Sequence, residues 1–404
     1  DVSNESMKRA FLRVGCVLCT LCIALPNVKP ACVEAEPLAS GRSTEHVPSE
    51  TWAWWHVSAY LDLAYIIDFN YPENHLWRSR TTTNRFNEFA PNMGFLNVRK
   101  DATTDSRWGM ELGVQGGYDS KDFAFQPNEP QVGGADTLRH VQRANVSYLA
   151  PIGNGLTVQA GLFNSFLGYE SLYAKDNANY TRSWIADNTP YMMFGVNARY
   201  QVNDRLALAG FIINGYYHLS HPNDQPSYGA QMVYKLTPQL TVTETLYAGP
   251  DQNNTAFEFW RIYLNSIVER KTENLVLALS YDIGTESIAN QPGAPRTFAM
   301  GASLVARWNI DRHWAAVLRP EFYWDRNGRW TGNEQFVKAI TTTLEYAVPF
   351  GWTRTQVSAE YRWDESTGVG GGFYKGGDVT PGTPGLTASQ HLLLLALLWS
   401  FDSP

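Results

Sequence analysis

The chain has four cysteines (Cys16, Cys19, Cys22 and Cys32), all near its start. Beyond Ala35 there is no thiol, which excludes a disulfide framework, a cysteine-ligated metal site and thiol catalysis there. Long apolar runs are also missing. Only Val14 to Leu25 approaches one, and it is too short to cross a bilayer as a helix. With a mean hydropathy of -0.30, helical membrane architecture is excluded. There is no surplus of base: Lys and Arg number 32 against 39 Asp and Glu, net -7. That balance argues against nucleic acid, which needs a basic stripe. No Gly/Ser-rich, Pro-rich or charge-block linker interrupts Trp55 to Phe401, so one large domain is expected.

Catalytic signatures are absent too. No G-x-S-x-G elbow and no H-E-x-x-H pattern occurs. His391 falls near Ser389, but no triad is assigned. His218, His221 and Asp224 form the one metal-like cluster; it lies in a loop position and reads as a solvated turn. Gly368 to Phe373 is glycine-rich but opens no helix, so it is no phosphate cradle. No enzyme activity, cofactor or metal is expected.

What the chain does have is alternation. Val57, Ala59, Leu61, Leu63, Tyr65 and Ile67 alternate with polar neighbours, as do Trp108, Met110, Leu112 and Val114, and Val357, Ala359, Tyr361 and Trp363. Successive side chains of a strand point to opposite faces, so each run has one apolar and one polar face. The polar faces carry many charges, and the apolar faces end in Trp, Tyr and Phe. That is the pattern of a transmembrane β-barrel, apolar outside and polar inside, with aromatic girdles.

Sixteen strands are predicted, at 55–69, 88–100, 107–119, 138–150, 155–164, 191–202, 205–217, 226–236, 239–249, 257–270, 273–284, 296–309, 312–325, 334–347, 352–364 and 388–401. Short turns such as Asn203-Asp204 and Thr237-Pro238 alternate with long loops such as 70–87, 120–137, 165–190 and 365–387. The expected fold is all-β: a single antiparallel transmembrane barrel of about sixteen strands, with short periplasmic turns and long extracellular loops in a bacterial outer membrane. In 88–100, 205–217 and 239–249 both faces are mixed and inside cannot be told from outside. Leu392 to Leu395 is apolar on both faces.

The N-terminus reads as a secretory signal: Met7-Lys8-Arg9 and Arg13, the apolar core to Leu25, and a small-residue cleavage site after Ala35. Asp1 to Ser6 are an upstream overhang. Residues 1–35 are thus overhang plus signal, 36–54 a periplasmic segment and 55–401 the barrel. Lipidation at Cys32 is disfavoured by Lys29 and Pro30. The last strand ends on Phe401, which resembles the signal read by the outer-membrane assembly machinery, although three residues follow it.

With the apolar faces outward, the lumen face can be listed. Its pore-lining candidates are Asp62, Glu111, Arg143, Arg199, Arg261, Asp282, Arg307, Arg319, Glu321, Glu360 and Arg362, joined by Asp68, Asp119, Lys235, Glu269, Glu345 and Asp364. A barrel this wide encloses water, so these charges are expected to be solvated. Loop 165–190 carries constriction candidates Glu170, Lys175, Asp176, Arg182 and Asp187 and is expected to fold into the lumen. The cations expected to face it are Arg143, Arg199, Lys235 and Arg261. An ordinary solvated surface loop is the alternative.

Several short motifs resemble the β-barrel porin-2 family, the OmpL-like porins. They are Ala160-Gly161-Leu162-Phe163, Gly168-Tyr169-Glu170, Asn177, Asn179-Tyr180-Thr181-Arg182-Ser183, Pro190-Tyr191, Gly195-Val196 and Ile213-Asn214-Gly215-Tyr216. The resemblance implies an outer-membrane channel and brings no catalytic residues with it. The expected function is passive diffusion of small hydrophilic solutes or ions through a water-filled lumen. A substrate-specific channel for sugars or small anions, and a plugged adhesin or envelope-anchoring barrel, are the alternatives. Expected partners are outer-membrane lipid, the assembly machinery through the strand ending at Phe401, the solutes, and two further copies in a homo-trimer by porin analogy.

Overall fold

The computed structural model describes residues 55–121, 138–217, 224–252, 255–349, 353–380 and 383–403. The signal, the segment 36–54, all four cysteines, His218 and His221 lie outside the described residues. Sixteen long strands follow one another: β1 (Trp55–Asp68), β2 (Gly94–Lys100), β3 (Trp108–Gly116), β4 (Val141–Ala150), β5 (Leu156–Asn164), β6 (Met192–Asn203), β7 (Leu206–Ile213) and β8 (Ser227–Thr237). Then come β9 (Leu240–Gly249), β10 (Arg261–Lys271), β11 (Leu275–Ser287), β12 (Arg296–Asn309), β13 (Trp314–Asp325), β14 (Gln335–Val348), β15 (Arg354–Thr367) and β16 (Ser389–Asp402). Each pairs antiparallel with its sequence neighbour, and β16 pairs with β1 from Ser58–Asp402 to Asp68–Leu392. The sheet therefore closes on itself and leaves no free edge, as a lipid environment demands.

Strand boundaries fall within a few residues of the expected ones, and the exceptions have local causes. The run 88–100 is broken: Phe89–Ala90 pairs with Tyr65 and Ala64, Pro91 interrupts the ladder, and β2 starts at Gly94. The run 107–119 stops at Gly116, because Gly117 adopts φ +128 and the chain turns into the short helix Tyr118–Lys121. Strand β10 begins only after a 3₁₀ turn at Phe257–Phe259.

Register assigns the faces. The exposed large apolar side chains include Leu61, Leu63, Leu112, Leu208, Leu246, Leu304, Leu344, Leu395 and Leu397, a band around the outside. Trp108 meets Tyr148 at 4.7 Å between ring centroids, and Trp314 meets Tyr346 at the same distance, near the short-turn rim. The opposite face looks into the lumen, where the two largest buried apolar clusters lie. The larger joins Tyr60, Ile66, Leu392, Leu394 and Leu398 of the wall to Trp77, Tyr173, Tyr180, Trp184 and Phe373 of the loops. The smaller joins Phe163, Phe211, Ile213, Tyr247 and Tyr263 of the wall to Phe166, Leu167 and Tyr216. This explains two segments without clean alternation. Leu392 and Leu394 of β16, and Phe211 and Ile213 of β7, face inward but meet loop side chains instead of water.

Candidate functional site: the lumen and its in-folded loop

The connection from β5 to β6, residues 165–191, lies inside the barrel. Two short turns stiffen it, Ala174–Asp176 and Trp184–Asp187, the second capped by Ser183, whose hydroxyl accepts from Ala186 N at 3.2 Å. Backbone N–H groups of the loop point at carboxylates of the wall. Glu360 of β15 accepts from Tyr180 N at 2.8 Å and Thr181 N at 3.1 Å, and also from the Thr181 hydroxyl. Glu321 of β13 accepts from Trp184 N at 2.5 Å, and Asp364 of β15 from Trp184 Nε1 at 2.8 Å. Cations of the same strands meet the loop's oxygens. Arg319 donates to Glu170 at 2.7 Å and to Thr181 O at 2.6 Å, and Arg362 donates to Arg182 O at 3.0 Å. On the other side Gly168 N donates to Asn265 Oδ1 at 3.2 Å, and the Tyr169 hydroxyl to Glu269 at 2.8 Å.

The first long loop, 69–93, lies on top of this one. Arg80 reaches Asp187 at 2.7 Å and donates to Arg182 O at 2.6 Å, with its guanidinium 4.7 Å from the Trp77 ring centre and 5.0 Å from that of Trp184. Thr82 donates to Asp187 at 2.7 Å, and Thr83 N to Asp119 at 2.6 Å. Arg182 lies between Thr83, at 3.0 Å, and Asp119, at 3.5 Å. Burial pushes the Asp119 carboxyl up to about 7, the Arg182 charge notwithstanding. Burial likewise lowers Arg80, against the opposing pull of Asp187. The Tyr173 phenol, buried beneath the loop, is pushed up to about 12.

All eleven residues expected on the lumen face lie there by register. Their expected solvation is corrected. Asp62, Arg143, Arg261, Asp282, Arg319, Glu321, Glu360 and Arg362 are each at most 7 % exposed, because the loops cover them. Each has an ion-pair or hydrogen-bond partner, as burial requires. Arg261 pairs with Asp251 at 2.7 Å and Glu286 at 3.1 Å, and Asp282 accepts from Tyr263 at 2.8 Å. Asp62 accepts from Tyr60 at 2.6 Å, and Arg143 reaches Gln142 O at 2.6 Å. Only Glu111, Arg199 and Arg307 keep contact with water, and of these Arg307 pairs with Glu345.

Of the loop candidates, Glu170, Arg182 and Asp187 are anchors to the wall or to the first loop. Lys175 and Asp176 pair with each other at 3.1 Å, and Asp176 stays exposed. The cations facing the loop are also corrected. Arg319 and Arg362 hold its backbone, whereas Lys235 has no hydrogen bond or ion pair to it among the described residues. Arg143 and Arg199 meet its rings instead, Tyr173 at 5.8 Å and Phe166 at 4.8 Å. Arg80, Thr83 and Trp184 went unpredicted. Their one available signal was large apolar side chains, Trp77 and Trp184, in segments too polar to hide them unaided.

Below the loop, toward the short-turn rim, a cavity of about 320 Å³ remains. It is lined by Asn164, Ser165, Phe166, Arg199, Ala209, Gln231 and Val233 among others. Arg199 is exposed and has no carboxylate partner within ion-pair distance among the described residues. Among the described residues no three metal-ligating side chains cluster.

Solved structures share the architecture. Outer-membrane expressed OmpT of Vibrio cholerae has a TM-score of 0.53 at 10% identity, covering 88% of this chain and 100% of its own. OmpF of Salmonella typhi in complex with daunomycin gives 0.53 at 12% identity, with coverage of 86% and 97%. An anion-selective porin from Comamonas acidovorans gives 0.52 at 10% identity, with coverage of 86% and 99%. At such identities the likeness is one of fold. No curated protein matches the sequence. The family described as "Putative beta-barrel porin-2, OmpL-like" matches residues 55–401, the whole closed sheet with its in-folded loop. The chain belongs to that porin family and is an outer-membrane channel for passive diffusion.

Proposed function

We propose that this porin is a narrow channel for small hydrophilic solutes, with loop 165–191 as its constriction and the Arg199 cavity as the vestibule below it. The observation that carries the reading is the burial of eight of the eleven lumen-face charges against in-folded loops. A wide aqueous pore would leave such charges hydrated. Fixed charges at a narrow point select ions by sign, and the water-accessible Arg199 favours small anions. No chemical step is involved, so the channel works without enzymatic activity.

We further infer that the protein is exported by a signal cleaved after Ala35 and inserted into lipid through its last strand ending at Phe401. It assembles as a homo-trimer. An OmpT structure of similar fold is described as a trimer form, with a TM-score of 0.52 at 10% identity. The same burial supports a second reading, a lumen closed until a loop moves.

Liposome swelling with a size series of sugars and small anions separates the two. Size-limited flux confirms the narrow channel, and no flux of any solute rejects it in favour of the closed lumen. Deleting 171–186 is expected to raise conductance several-fold and to weaken ion selectivity. Unchanged conductance and selectivity would overturn the constriction role.

A further inference from the structure

One carboxylate sits where lipid is expected. Glu244, on β9, pairs in register with Met232 of β8 and Ser266 of β10. It shares the outward face with the exposed Leu246, while Thr245 and Tyr247 point inward and are fully buried. On β8, Tyr234 pairs with Val242 and Tyr228 with Ala248, so Glu244 falls between two aromatic positions, within the hydrocarbon band. Its hydrogen bond is from the Ser266 hydroxyl at 2.6 Å. The outward Glu365 is different: it lies at the long-loop end of β15 and pairs with Lys338 at 2.9 Å. A carboxylate facing acyl chains in mid-strand is unfavourable.

Two further observations fall on the same face. Ala198, Gly210 and Ala230 form a continuous outward row across β6, β7 and β8. Gly210 opens onto free space, since a side chain there would meet no atom nearer than Gly229 O at 3.9 Å. Small residues in a membrane-facing surface let another protein backbone approach closely. The aromatics of this face are Tyr228 and Tyr234 of β8 and Trp260 just before β10, which stacks on Tyr228 at 6.0 Å between ring centroids; β7, β9 and β10 themselves carry none facing outward.

We propose that the outer face of β7 to β10, centred on Glu244, is the contact face between copies of this chain. The proposal rests on the trimer reading above and names the surface it uses. Lipid chains offer Glu244 no donor and gain nothing from the small-residue row. An identical barrel has its belts at the same heights and brings polar groups of its own. The face also carries a base. Arg270, outward and exposed opposite Leu240 at the short-turn end of β10, has no carboxylate partner among the described residues; it lies below the level at which Glu244 meets Ser266.

The test uses the full-length protein in outer membranes, with nitroxide labels on Ala230→Cys and, opposite, on Leu395→Cys. Native mass spectrometry of the detergent extract reports assembly, for the parent and for Glu244→Arg. The expected result is a trimer, with the label at 230 immobilised and several-fold less accessible to oxygen than that at 395. Glu244→Arg is expected to shift the mass to monomer. A trimer with both labels equally mobile, or one that survives Glu244→Arg, overturns this face and leaves the trimer standing. A monomeric parent overturns the trimer reading itself. If Glu244→Arg fails to fold, the two labels still decide.

Discussion

Replacing Glu360 by Ala should release loop 165–191 from the wall. The carboxylate accepts from Tyr180 N, Thr181 N and the Thr181 hydroxyl, and from Thr343 Oγ1 at 2.7 Å. Arg319 and Arg362 donate to Thr181 Oγ1 and Asn179 donates to Thr343 Oγ1, so each hydroxyl loses its acceptor but keeps these donors. The two backbone N–H groups are left with no partner at all in a buried site. Leaving a buried donor unpaired costs about 1–3 kcal/mol, so the docked loop should lose on the order of 3 kcal/mol. That is roughly a hundredfold in the docking equilibrium. The assay pairs protease nicking within 165–191 with single-channel conductance in a planar bilayer. Where reclosing is fast, nicking follows the open population and should rise about a hundredfold; conductance should rise with it. Glu360→Gln keeps one acceptor oxygen and should show a smaller effect. Nicking and conductance both unchanged in Glu360→Ala would falsify the pinning role.

Further outcomes follow from other residues. The Asp119 carboxyl stands at about 7 in the folded chain against 3.8 for a free one, so its folded form holds the proton more tightly. Its contribution is full below the lower value and lost as pH rises through the upper one. With Arg182, Asp62 and Asp187 facing it, the docking of loop 69–93 should weaken from acid to neutral pH, and Asp119→Asn should flatten that dependence in hydrogen exchange. Arg199→Gln removes the water-accessible cation of the cavity and should lower the anion-to-cation permeability ratio, read from the reversal potential in a salt gradient. Gly161 in β5 has φ +123, and a side chain there would press on the backbone of Ala144 and Asn145. Gly161→Ala should therefore cost about 1–3 kcal/mol, measured as a lower urea midpoint of the refolded barrel.

The sequence was most legible where lipid imposes the rule. Leu61, Leu112, Leu344 and Leu395 must meet acyl chains, so their period of two survives whatever fills the lumen. Legibility failed where the inside is dry. Leu392, Leu394, Phe211 and Ile213 face inward and are apolar, since Trp184, Tyr180 and Phe166 arrive from distant loops to cover them. Arg319 and Arg362 read as hydrated pore charges for the same reason. A strand sequence shows which face a charge is on, and not what stands opposite it. Glu244 belongs to a run whose two faces looked alike; only its register with Met232 and Ser266 puts it outside.

The sequence by itself therefore determined the closed sheet: strand number, inside and outside for most strands, which connections are long, and the family to which the chain belongs. The strand features follow from local periodicity and turn composition, which neighbouring residues carry between them, and the family from the short motifs that resemble it. The tertiary structure decided how much of the lumen stays open. That depends on loop 165–191 reaching Glu360 and Arg319 and on loop 69–93 reaching Asp187, each more than a hundred residues further along the chain. Such long-range pairing leaves no period in the sequence, because each partner is only a single polar residue on a face already expected to be polar.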